Sequence, residues 1–138
     1  LGMDYTYFPD KPVKATVTMT SWIIDIETAY AGLDIVALTS LNEGTPVSLM
    51  EAQAAARPVI STEVGGVADV VVHGETGYCI APGDVEEYIR KLVLLAENDA
   101  LRAAMGAKGV GYAQENFSMQ QLVRKTKEYF DECMRRLR

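Results

Sequence analysis

Three short apolar runs constrain this chain most: IVAL (Ile35–Leu38), PVIST (Pro58–Thr62) and the start of GYCIAP (Gly77–Pro82). Each is long enough for a strand and too short for a helix. An unbroken apolar run suits a strand covered on both faces. The segments between them are long enough to hold a helix and its turns, which parallel neighbours need for their crossover. Strand alternating with helix predicts an α/β fold with a parallel sheet, flanking helices and right-handed crossovers.

The remaining elements follow from local signals. Leu1–Lys14 is irregular, broken by Pro9 and Pro12, and a single domain is expected over residues 15–138. Alternation in ATVTMTSW predicts a further strand over Thr16–Thr20. Helices are expected over Asp25–Gly32, Pro46–Ala55, Val67–Val71, Val85–Glu97, Ala100–Gln114 and Met119–Arg136. A net charge of −6 argues against nonspecific nucleic-acid binding, which needs a dense basic surface. No apolar run approaches the roughly 20 residues of a membrane span. Cys79 and Cys133 read as reduced thiols, consistent with a cytoplasmic protein. His73 is the single histidine, which argues against a zinc site; no metal and no cofactor is expected.

Ligands of such sheets collect beyond the carboxyl ends of the strands, at helix N-termini. Two places fit: LNEGTPVSLMEAQAAARPVIST (Leu41–Thr62) and the Gly65-Gly66 pair. Thr45 is a suitable N-cap and Pro46 a favoured first helical residue. The amides of Val47 and Ser48 then lack helical partners and face outward at the positive end of the helix dipole, which suits a phosphate. Gly44 lets a ligand approach the backbone. Glu51 lies about 7 Å along the helix at roughly 1.5 Å per residue, and its two oxygens match vicinal sugar hydroxyls. Glu43, in the loop, would reach another part of the same ligand. Spacing alone leaves open that Glu51 is only an exposed helical carboxylate, and that Gly65-Gly66 is only a tight turn.

The run DIVALTSLNEGTPVSLMEAQAAARPVISTEVGGVADVVVHGETGYCIAPGD, Asp34–Asp84, closely resembles the C-terminal domain of family 4 retaining glycosyltransferases of the GT-B fold. A glutamate, seven residues, a second glutamate, an alanine-rich helix, a PV strand, a GG turn and a TG strand ending in PGD appear in that order. The resemblance extends from about Val17 through ENFS to the C-terminus. It implies a partial GT-B C-terminal, Rossmann-like domain that binds a nucleotide-diphosphate sugar, UDP- or GDP-linked. It implies that Glu51 holds the ribose hydroxyls and that Glu43, the candidate catalytic residue, contacts the transferred sugar. Gly44, Thr45, Pro46, Val47, Ser48, Gly65 and Gly66 would line the substrate. Ala56 departs from the family's helix-ending glycine; at a positive φ it would cost on the order of 1 kcal/mol, with a slightly altered turn.

The resemblance also implies missing parts: an acceptor-binding domain and the donor-domain region that brings an arginine and a lysine to the diphosphate. Arg57 and Lys91 stand at the wrong motif positions to replace them. A donor-binding part inactive in isolation is the first reading. A self-associating α/β module that kept the fold and lost the ligand is the second, and a nucleotide-sugar epimerase of GT-B type fits the motifs less well. The strand at Val17–Thr20 must either pair with Ile35–Leu38 or leave that edge open, and an open edge invites self-association. Leu122, Thr126, Tyr129, Phe130, Cys133 and Leu137 form a stripe at helical spacing. In the family this helix crosses onto the absent domain; here the stripe packs on its own sheet or on another copy. Arg135, Arg136 and Arg138 complement the helix dipole, with peripheral membrane contact open to the full-length enzyme. His73 reads as a loop residue, Trp22 as core or rim packing, and Tyr5, Tyr7 and Phe8 as a cover for apolar surface.

Overall fold

The computed structural model of the chain describes Thr18 and residues 20–136. In chain order the elements are α1 (Ile26–Ala31), β1 (Val36–Leu38), α2 (Val47–Ala54), β2 (Val59–Thr62), α3 (Val67–Val70), β3 (Gly77–Ile80), α4 (Val85–Ala96), α5 (Asp99–Phe117) and α6 (Met119–Arg136). Every element expected within the described residues is present, with ends shifted by a few residues. The segment Leu1–Lys14, expected to be irregular, and its Tyr5, Tyr7 and Phe8 lie outside the described residues. So does most of the strand expected over Thr16–Thr20; Thr18 and Thr20 are in no strand.

The three strands form one parallel sheet in the order β1-β2-β3, with Val36 beside Val59 and Val59 beside Gly77. Successive residues point to opposite faces. Val59 faces a core with Tyr30, Leu49, Ala52, Val67 and Cys79. Ile60 faces a second core with Tyr78, Ile80, Leu95 and Met105. Both faces are therefore covered, which is why the runs are apolar without alternation. Leu49, Ile60 and Leu95 are fully buried, each contributing about 2 kcal/mol by the area removed from water. The outer edge of β1 pairs with no strand among the described residues.

Helix ends follow local chemistry. The Asp84 carboxylate caps α4 by accepting from the Glu87 amide at 3.0 Å, after Gly83 turns the chain at φ +89°. Asp25 caps α1 in the same way, and its two hydrogen bonds from Thr28 hold its carboxyl below the usual carboxylate range. The far end of α2 answers the question raised by Ala56. Its φ is +59°. The Arg57 amide donates to the Ala52 carbonyl at 2.9 Å and the Ala56 amide to Gln53 at 3.0 Å. That pairing is the Schellman closure. The turn keeps the form a glycine would give it, and the alanine bears the strain; the expected alteration of the turn does not occur.

α2 packs most extensively on α5, and the close approach depends on glycine. A Cβ on Gly106 would run into the Ala56 carbonyl, and one on Gly109 would lie 3.3 Å from the Gln53 side chain. Gln53 is itself buried; its amide donates to the carbonyls of Leu49 at 3.1 Å and Val70 at 2.7 Å, tying α2 to the end of α3. By contrast α6 buries no residue, and Leu122, Tyr129 and Phe130 are each more than half exposed. Trp22, expected to pack, is 98% exposed. It lies ahead of α1 in a stretch without regular structure, and no described element covers it.

Candidate functional site

The carboxyl ends of β1 and β2 lead into two loops that meet. The first carries Glu43, Gly44 and Thr45 into α2; the second carries Gly65 and Gly66 into α3. The Gly66 amide donates to the Gly44 carbonyl at 2.8 Å. Gly65 has φ +53°, and a Cβ there would overlap the Glu43 carbonyl. A Cβ on Gly66 would come within 2.6 Å of the Gly44 oxygen and 3.3 Å of the Thr45 Cα. Neither contact leaves room for a side chain. The double glycine is thus a seam between backbones, more than a turn. Thr62, at the end of β2, adds a hydrogen bond from its hydroxyl to the Ser40 carbonyl. The sequence-predicted residues Glu43, Gly44, Thr45, Gly65 and Gly66 all come together here.

The tip of α2 differs from expectation by one residue. Pro46 occupies the N-cap position with φ −74° and ψ 103°, and no side chain caps the helix. Thr45 is not the cap, because the extended ψ of Pro46 starts the helix at Val47. The Pro46 ring is buried, whereas Val47 and Ser48 are exposed. Among the described residues the amides of Val47 and Ser48 donate to no acceptor. Two orphan donors at the positive end of a helix remain directed outward. Gly44 is open, with nothing within 4 Å of where its Cβ would stand.

Glu43 is half-buried and Glu51 exposed. Glu51 lines an open cleft of about 370 Å³ between α2 and the end of α5, with Val47, Met50, Ala54 and Phe117 among its walls. One partner of Glu51 escaped the sequence analysis. The hydroxyl of Tyr30, on α1, lies 3.1 Å from Glu51 Oε2 and 3.0 Å from the Ser48 carbonyl oxygen. Burial, the hydrogen bond to Glu51 and the glutamate's charge push the phenol up to about 12. No spacing rule links positions so far apart. The available signal was a lone aromatic in a short helix, since a buried tyrosine hydroxyl needs a polar partner.

The basic residues noted in the sequence stand elsewhere. Arg57 donates to the Ala31 carbonyl at 3.1 Å. Lys91 lies 3.7 Å from Glu87 and over the Tyr78 ring at 4.7 Å. His73 is in a loop, as expected, with Nδ1 3.2 Å from the Cys79 amide and 3.0 Å from its carbonyl oxygen. Burial and then the charge of Glu63 push the Cys79 thiol up to about 11.

Residues 7–98 match the family described as glycosyl transferases group 1. The capsular polysaccharide biosynthesis glycosyltransferase CapM of Staphylococcus aureus is 31% identical over 117 residues, covering 85% of this chain and 30% of that protein. Among solved structures, the C-terminal domain of a glycosyl transferase group 1 family protein (LpcC) from Francisella tularensis superposes with a TM-score of 0.65 at 26% identity. That match covers 75% of this chain and 53% of that one. Alr3699/HepE of Anabaena, crystallised with UDP, gives a TM-score of 0.74 at 24% identity, over 80% of this chain and 30% of that one. The chain therefore spans about a third of the length of CapM.

Proposed function

Because the chain belongs to the glycosyl transferases group 1 and has the fold of the GT-B C-terminal domain, we propose that it is the part of a glycosyltransferase that binds a nucleotide-diphosphate sugar. In this reading residues 15–138 form the donor-binding unit. The orphan amides of Val47 and Ser48 receive the diphosphate, Glu51 accepts from the ribose hydroxyls, and Glu43 meets the transferred sugar. The Gly44–Pro46 loop and the Gly65-Gly66 seam shape the floor. What carries the reading is the uncovered tip of α2, with its free amides between one carboxylate in the loop and another on the helix. The protein HepE, crystallised with UDP and with UDP-glucose, supports the choice of ligand.

Neither basic side chain singled out from the sequence is free to meet the diphosphate. Retaining transfer needs positive charge on the departing group, and Arg57 and Lys91 are engaged elsewhere. The chain alone is accordingly expected to bind donor without transferring sugar. A cytoplasmic setting accords with the free cysteines, and peripheral membrane contact through the basic end of α6 belongs to the same proposal for the full-length enzyme.

Calorimetric titration with UDP and GDP tests the reading. Saturable binding by the wild type that is lost in Glu51→Ala is expected; absence of binding at millimolar nucleotide overturns it. Donor-dependent product from the chain alone, detected by mass spectrometry, overturns the inactivity. A second reading, a self-associating module without ligand, is favoured by the outer edge of β1, which pairs with no strand among the described residues, and the same titration separates the two.

A further inference from the structure

Tyr30 sits on α1, a helix that contributes none of the candidate ligand contacts, yet its side chain reaches the candidate ribose carboxylate. It is the one buried residue of α1. Its single O–H proton faces two acceptors on successive turns of α2: the Ser48 carbonyl at 3.0 Å and Glu51 Oε2 at 3.1 Å. A carboxylate is the stronger acceptor of the two. Glu51 Oε1 has no partner among the described residues, and the residue borders the open cleft beside α2.

We propose that Tyr30 is a positioning residue for nucleotide binding: its hydroxyl holds one oxygen of Glu51 against α1, so that the other is presented to the ligand's hydroxyls. The inference rests on the reading of Glu51 given above. Three features fit this role. An exposed glutamate otherwise samples several rotamers, and fixing it in advance lowers the entropic cost of binding. The phenol remains a neutral donor at any physiological pH, since it titrates only near about 12, so it never repels the carboxylate. The Ser48 carbonyl offers a second acceptor beside Glu51 Oε2, so the hydroxyl is kept in place next to the carboxylate it positions.

The test is Tyr30→Phe, which keeps the ring in the core, titrated with UDP and with 2′,3′-dideoxy-UDP, or with the guanosine pair if GDP is the nucleotide that binds. Wild type should prefer the ligand with both hydroxyls. Tyr30→Phe should weaken that ligand by roughly 5- to 10-fold, the size of one hydrogen bond, and leave the dideoxy ligand within about two-fold. A purely structural role lowers both affinities alike. An equal loss for both ligands, or no loss for either, overturns the role of Tyr30 while leaving Glu51 as it stands. A wild type that binds both ligands equally, or neither at millimolar concentration, overturns the reading of Glu51 and this inference with it.

Discussion

Ala56 shows how much one methyl group matters to a helix end. It occupies the left-handed region at φ +59° within a fully hydrogen-bonded Schellman turn. Nothing in the turn requires a Cβ, and the residue is exposed. Ala56→Gly should therefore stabilise the fold by up to about 1 kcal/mol, part of the gain being offset by glycine's greater freedom in the unfolded chain. Urea denaturation measures this as a higher midpoint at unchanged slope. A lower midpoint would mean that the left-handed strain is relieved elsewhere. Ala56 was legible in the sequence as a strained position because it broke a motif. Tyr30 was not, because the contact that defines it is made across the fold and leaves no pattern along the chain.

At the scale of elements, glycines on α5 do opposite things within five residues. Gly106 faces the Ala56 carbonyl, and the α2–α5 approach leaves no room for a Cβ there; Gly111 has nothing within 4 Å of its Cβ position. Gly106→Ala should cost about 1–3 kcal/mol, because displacing a packed backbone outweighs the gain in helix propensity. Gly111→Ala should stabilise by about 1 kcal/mol, since there only propensity acts. Thermal unfolding of the two variants side by side checks the sign of each; destabilisation by both would point to general intolerance along α5. The sequence yields the strands, the helices and their order because periodicity and capping are local. It misjudged the start of α2, where Thr45 looked like the cap, because the conformation of Pro46 decided the boundary. It treated Gly65-Gly66 as an ambiguous turn, because a seam between two loops is a relation between distant segments. Trp22 was misplaced for a related reason: its size suggested burial, but burial requires an element to cover it, and none of those described does so.

For the whole molecule, two features bear on association: the outer edge of β1, which pairs with no strand among the described residues, and the exposed apolar stripe along α6. Unpaired strand edges and contiguous apolar helix faces promote association. Copies of this chain are accordingly expected to self-associate, with a weight-average mass in sedimentation that rises with concentration over the micromolar range. A constant monomer mass would count against it. Replacing Leu122 and Phe130 by serine should weaken the association if α6 is the contact, and leave it unchanged if β1 is. The seam of backbones at Glu43–Thr45 and Gly65–Gly66 bears on how such a unit can move. Its two loops are clasped atom to atom, so neither can fold over a ligand as a lid while the other stays still. A shift of either loop is expected to drag its neighbour along, so the two answer any pull as one piece.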